Sequence, residues 1–233
     1  MKVLAIIPAA GTGVRMGGEL PKQFLSLDGT SIFVYTLRKF AASDAISEIF
    51  LGVRGEDRQR VESELARENL KKPVRLIAGG YSRQETVSKA LSQAPEDTEI
   101  VVVHDAVRPF VELETIRAAV DAARQEGAAI VGVPSVDTVK QVDRQWVSAT
   151  IPRERIVLTQ TPQAFRFSIL KEANDRAEAD GFTATDESSL VERMGQPVMV
   201  LMGSDHNIKI TKPSDLPLAR LFLAQEKEQG ESR

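Results

Sequence analysis

The segment best equipped for chemistry is PAAGTGVRMGGELPKQ, residues 8–23. Gly11, Gly13, Gly17 and Gly18 lack the Cβ that would hold a ligand off the backbone, so main-chain amides there can approach an anion closely. Arg15 and Lys22 place two cations in the same loop. Amides and cations together suit a polyphosphate, whose charge redistributes as a phosphorus is attacked. Two familiar alternatives fit less well. The dinucleotide fingerprint G-x-G-x-x-G allows two residues before its last glycine, and Gly13-Val14-Arg15-Met16-Gly17 has three. The second strand ends in Leu51-Gly52-Val53-Arg54, without a ribose-binding acid, and the Gly-Lys-Ser/Thr of a P-loop is absent. A plain surface turn would explain the glycines but not Pro21-Lys22-Gln23 after Arg15-Met16-Gly17.

A second candidate is VVVHDAVRPF, residues 101–110, where Asp105 follows an apolar strand. In open α/β sheets, ligands sit outside the carboxyl ends of strands. Asp105 could hold a ribose hydroxyl, a substrate hydroxyl or Mg²⁺, and Arg108 could pair with it or with phosphate. An acid at a strand end is also a common turn residue. His104 reads as a hydrogen-bonded structural group and is left out of the catalytic set. Gly79-Gly80, with Arg83 and Thr86, follows another strand and opens a helix whose amides could read a base or phosphate. Pro152-Arg153 and Gln160-Thr161-Pro162-Gln163 come later, and Thr185-Asp186-Glu187-Ser188 is a good helix start for which capping is reason enough. Lys209, in Asn207-Ile208-Lys209-Ile210-Thr211, could supply a third cation, although a solvated edge lysine is the commoner case.

These residues need a scaffold. Short Val/Ile-rich runs at 3–7, 48–53, 74–78, 100–104, 128–133 and 197–201 show little alternation, as expected for strands buried on both faces of a parallel sheet. Helical periodicity lies between them: Ile32, Tyr35, Leu37 and Phe40; Val61, Leu65 and Leu70; Val87, Ala90 and Leu91; and Ile116 to Ala123, with Gly127 as C-cap. The pattern predicts an α/β fold with right-handed crossovers, one domain over residues 1–233. Residues 135–151 break the rhythm and read as a β-hairpin carrying the only tryptophan, Trp146. An isolated hairpin is marginal in water, so this one packs either on a second copy of the chain or on its own domain.

Composition narrows the classes further. Hydrophobic residues are 42% and charged residues 27% of 233, which excludes a disordered or fibrous chain. A net charge of −3 offers no overall field for nucleic acid, and the absence of cysteine excludes thiolate chemistry. No stretch approaches a membrane span or a secretory signal, so a cytoplasmic protein is expected. The tail after Ala224 is polar and expected to fray.

Together, PAAGTGVRMG…PKQ, GGYSRQETV, VHDAVRP, VDTVK, QTPQAF, TDESSLVE and NIKITKPSDL resemble the 2-C-methyl-D-erythritol 4-phosphate cytidylyltransferases, from residue 8 to about residue 216. The resemblance implies a Rossmann-like nucleotidyltransferase fold, mostly parallel sheet flanked by helices, with a protruding arm that joins a homodimer. It implies transfer of CMP from CTP to methylerythritol 4-phosphate with release of pyrophosphate, and Mg²⁺ as cofactor. Pro8, Ala9, Ala10, Gly11, Gly13, Lys22, Gly79 and Thr86 would then lie at the nucleotide. Asp105, Arg108, Thr138, Arg153, Thr161 and Lys209 would lie at the acceptor, with Thr138 and Arg153 coming from the partner's arm. Arg15, Lys22, Arg153 and Lys209 would be the catalytic cations, and Asp105 a candidate metal ligand. Thr86 departs from the family's usual serine but keeps the hydroxyl. The ribitol-5-phosphate cytidylyltransferases share several of these motifs; they typically read L-A-G-G at Pro8–Gly11 and lack the asparagine of N-I-K-I-T. A nicotinamide-dependent oxidoreductase is disfavoured by the fingerprint mismatch, and a non-catalytic nucleotide-binding module has no need of cations at both ends of the chain.

Overall fold

The computed structural model describes residues 2–11 and 21–231. The chain opens with β1 (Lys2–Pro8), followed by a small ribbon of β2 (Ser26–Leu27) and β3 (Thr30–Ser31). Asp28 and Gly29 turn that ribbon with φ of 48° and 85°, the left-handed conformation that two-residue hairpin turns demand. There follow α1 (Ile32–Ala42), β4 (Glu48–Val53), α2 (Arg58–Leu65), β5 (Val74–Ala78), α3 (Arg83–Leu91), β6 (Thr98–Val103), α4 (Leu113–Glu126) and β7 (Ala128–Pro134). The remaining elements are β8 (Val139–Asp143), β9 (Trp146–Ile151), β10 (Val157–Arg166), α5 (Phe167–Ala179), α6 (Glu187–Arg193), β11 (Met199–Met202) and α7 (Asp215–Glu231).

Seven strands form one sheet in the order β11-β7-β10-β6-β1-β4-β5. Successive residues of β1 explain the unbroken apolar runs. Val3, Ala5 and Ile7 pack with Phe33, Leu37 and Phe40 of α1 and with Ile116 and Val120 of α4. Leu4 and Ile6 face the other way, with Val87 and Leu91 of α3, Leu170 of α5 and Leu190 of α6. A strand covered on both faces has no polar side to show. Gly127 ends α4 at φ 96°, the conformation expected of a C-cap glycine.

The pairs β1–β4, β1–β6, β4–β5 and β11–β7 are parallel, whereas β10 runs antiparallel to both β6 and β7. Strand periodicity did not pick out β10, because its ladder to β7 is interrupted between Gln160 and Gln163, around Thr161 and Pro162. Proline cannot donate to a ladder, and glutamine and threonine do not read as sheet interior. Leu70 falls beyond the end of α2 yet still packs on the core. The order reverses at β1, which has β4 on one side and β6 on the other. The loops after β1, β5 and β6 therefore rise from the same end of the sheet, where such folds bind ligands.

The segment 135–151 contains the expected hairpin. β8 and β9 pair only with each other, around a turn whose first residue, Arg144, has φ 53°. Trp146 is 80% exposed, and Val136, Val142 and Val147 are exposed with it.

Candidate active site

Each candidate side chain is held by a recognisable local device. After β1, the Ala9 amide donates to Gly52 O at 2.7 Å, fixing the first loop against the end of β4. Buried Gln23 then donates from Nε2 to Ala9 O (2.7 Å) and Gly11 O (2.9 Å). This tie explains the Pro21-Lys22-Gln23 motif: it pins both ends of the glycine loop and sets Lys22 at its rim. Gly13 and Arg15 lie outside the described residues.

The loop after β5 closes on the first. The Gly79 amide donates to Val53 O at 2.7 Å, and a Cβ on Gly79 would stand 2.2 Å from the Cβ of Ala10. Only glycine permits that approach. Thr86, 1% exposed, accepts from the Gly80 amide and donates to Ser82 O, both at 2.9 Å. Its hydroxyl thus shapes the loop from beneath. Its methyl occupies the space over Gly52, where a Cβ would come within 2.3 Å of Thr86 Cγ2, which is how the chain accommodates threonine here. Ser82 caps α3 by accepting from the Glu85 amide.

The third loop carries the charge. Asp105, 7% exposed, receives Arg83 Nε at 3.3 Å on Oδ1, and Arg108 Nε at 3.3 Å and Lys209 Nζ at 2.9 Å on Oδ2. Arg83 also pairs through Nη1 with Glu187, which is 1% exposed. Burial alone would raise the Asp105 carboxyl, but Arg83, Lys209 and Arg108 outweigh it and hold it well below the usual carboxylate range. Burial pushes the Glu187 carboxyl up against the pull of Arg83. Arg108 Nη1 donates to Asn207 O at 2.7 Å, and Asn207 Nδ2 donates to Gln160 Oε1 and Thr161 O. Thr161 Oγ1 accepts from the Asp105 amide at 3.1 Å. Polar residues of β10 and of the 207–211 segment thus lock the site from its far side.

Two pockets result. The first is lined by Pro8 to Gly11, Lys22, Gly80 to Arg83 and Thr86; the second by Arg108, Gln160, Thr161, Gln163 and Asp186. Arg83, Asp105 and Lys209 line both and form the wall between them. Gly79 lies just behind the first pocket. Thr138 and Arg153 line neither: both are exposed at the base of the hairpin, where Arg153 Nη1 donates to Val136 O at 2.8 Å. His104 is fully buried and burial lowers its pKa to about 4, so it is neutral near pH 7. Its Nε2 lies 3.0 Å from Arg108 O, which can only accept, so the proton sits there and the ring supports the loop. The sequence reading understated Glu187. Asp186 does cap α6, accepting from the Ser189 amide, but the next residue turns inward to Arg83.

The residues do not suit a protein-held metal. Among the described residues no three His, Cys, Asp or Glu side chains converge as ligands. The oxygens of Asp105 already face three cations, which oppose a divalent ion at the same atoms.

A profile of the 2-C-methyl-D-erythritol 4-phosphate cytidylyltransferase family matches residues 3–225. The chain belongs to this family. A relative of that name from Solibacter usitatus is 52% identical, with 97% of each chain covered, and one from Acidobacterium capsulatum is 49% identical over 97% of this chain and 98% of its own. Among solved structures, the 4-diphosphocytidyl-2C-methyl-D-erythritol synthase of Anaerococcus prevotii superposes with a TM-score of 0.85 at 30% identity, covering 96% of each chain. The cytidylyltransferase of Thermus thermophilus gives 0.78 at 31% identity, covering 96% of this chain and 100% of the other. Membership covers the two pockets and the hairpin alike, so the family's fold is the fold of this chain throughout.

Proposed function

We propose that the chain transfers CMP from CTP to 2-C-methyl-D-erythritol 4-phosphate, giving 4-diphosphocytidyl-2-C-methyl-D-erythritol and pyrophosphate in the making of isoprenoid precursors. The observation that carries this reading is the pair of pockets with one charged wall. One pocket offers backbone and Lys22 to a nucleotide; the other offers polar side chains and Arg108 to a small phosphorylated alcohol.

The acceptor's phosphate is already anionic at neutral pH, so its oxygen attacks the α-phosphorus without a general base and pyrophosphate departs. The obstacle is the meeting of two polyanions. Positioning and charge neutralisation therefore carry most of the catalysis. Lys22, together with Arg15 from the glycine loop, balances the triphosphate, and Lys209 stands at the wall where the attacking oxygen must arrive. Ala10 and the Gly79-Gly80 backbone read the base, while Asp105 and Thr161 orient the acceptor's hydroxyls. Any divalent ion enters as part of the nucleotide substrate, on the triphosphate oxygens and water, with no ligand assigned to Asp105.

The same reading makes the working form a homodimer in the cytoplasm. Each arm, with Val136, Val142, Trp146 and Val147 exposed, would bury its apolar face on a second copy, worth about 25 cal/mol per Å² removed from water. Thr138 and Arg153 would then reach the acceptor pocket of the partner. Nucleic acid has no part in this reading, and among the described residues no helix is long and apolar enough to cross a membrane.

Substrate identity is tested by pyrophosphate release. Turnover is expected with CTP and methylerythritol 4-phosphate, with ribitol 5-phosphate poorer by about 10²-fold or more, because hydroxyl-binding groups left unpaired penalise a misfitting alcohol. UTP in place of CTP should be similarly poor, since the 4-amino group of cytosine would be missing from its acceptors. Faster turnover with ribitol 5-phosphate would replace the acceptor. Equal turnover with UTP would show that the amino group is not read.

A further inference from the structure

Arg83 was singled out in the sequence only as part of the loop after β5, and Glu187 only as part of a helix start. The structure gives them a joint position that neither motif explains. Arg83 begins α3 and lines both pockets, while Glu187 begins α6 on the far side of the wall. They are 104 residues apart in sequence and directly paired in space.

A buried carboxylate beside two polyanionic ligands is electrostatically unfavourable unless it serves another group. A charge taken out of water also costs several kcal/mol unless it is paired in good geometry. Among the described residues, the only ion pair of Glu187 is with Arg83. The guanidinium is held at two corners, Nε on Asp105 and Nη1 on Glu187, so its plane is fixed. Among the described residues its third nitrogen, Nη2, makes no hydrogen bond, and it remains available to a ligand. A planar guanidinium donates in a fixed fork suited to phosphate oxygens, so fixing its plane fixes the direction of the remaining donor.

We propose that Arg83 is a further catalytic residue, contacting phosphate oxygens at the junction of the two pockets, and that Glu187 is the positioning residue that holds it there. This rests on the cytidylyl-transfer reading and adds a cation to it. When ligands bind, Asp105 gives up part of its hold on Arg83 and Lys209 as phosphate oxygens take its place. Glu187 lines neither pocket, so it keeps Arg83 from swinging away with the nucleotide.

The test combines two variants with the wild-type chain. Glu187→Gln keeps the size and an acceptor oxygen but removes the charge that fixes Arg83. It is expected to lower kcat at least 10-fold while the Kd for CTP changes less than about 3-fold and the melting temperature shifts by a few degrees. Arg83→Ala is expected to lose at least 100-fold in kcat and to regain a measurable part with added guanidinium chloride at millimolar concentration, in a saturable manner. Should Arg83→Ala fail to fold because Glu187 is left unpaired, the double variant Arg83→Ala/Glu187→Gln removes both charges and takes its place in the rescue. A merely structural ion pair would lower stability without separating kcat from CTP binding, and guanidinium would restore no turnover. Either result overturns the proposal, as does a folded Glu187→Gln with wild-type kcat. If the wild-type chain itself failed to turn over CTP with methylerythritol 4-phosphate, the functional reading would be at fault instead.

Discussion

Lys22→Ala is expected to lower kcat by about 10²–10³-fold while weakening CTP binding far less, the loss typical of one well-placed charge contact at a site where charge develops. The lysine stands at the head of the 3₁₀ turn Lys22–Phe24, beside the glutamine that ties Ala9 and Gly11 together. Its backbone is therefore fixed before any ligand arrives, and no reorganisation is needed as pyrophosphate gathers negative charge. Removing the side chain to Cβ leaves Gln23 and its two hydrogen bonds in place, so the loop should keep its shape. Steady-state kinetics with a separate measurement of CTP affinity decide the matter. An unchanged kcat with a raised KM would mean that Lys22 binds ground state and transition state alike. Arg15, in the same glycine loop, carries the same expectation.

The second large effect is a recovery of activity. Arg153→Ala and Lys22→Ala chains, each nearly inactive alone, should regain activity when their subunits are mixed. If arms are exchanged, a mixed dimer gathers both lesions in one site and leaves the other intact. With random exchange half the dimers are mixed, so the mixture should reach roughly a quarter of wild-type activity per protomer. The motivation is positional: within one chain Arg153 lies at the base of an exposed hairpin, lining neither pocket, while Lys22 lines the first. Subunit exchange is verified with differently tagged chains. No recovery after verified exchange would return Arg153 to the site of its own chain and end the arm-exchange reading.

How much of this was legible in the sequence depended on whether a residue's partner was local. β1, β4 and β5 could be read because a strand covered on both faces is written entirely in apolar residues. β10 could not, since Gln160, Thr161 and Gln163 are buried by bonds to Ser204, Asn207, the Asp105 amide and Asp186, none of them near in sequence. The glycines at 79 and 80 announced a close approach, but not that Ala10 and Glu85 were what they approached. Glu187 was hidden by its neighbour: Asp186 satisfied the capping pattern, and nothing local told that the next carboxylate pointed inward. Thr138 and Arg153 present the opposite case. Their motifs could be read, but one chain gives them no pocket to enter.

The central claim is that the acceptor's phosphate attacks the α-phosphorus directly, across the wall of Arg83, Asp105 and Lys209. A single in-line displacement inverts the configuration at phosphorus, whereas a route through a nucleotidylated side chain displaces twice and retains it. The decisive measurement uses CTP carrying a sulfur of known configuration on the α-phosphorus, with the configuration of the diphosphocytidyl product determined after turnover. Inversion is the predicted result; retention would contradict the account.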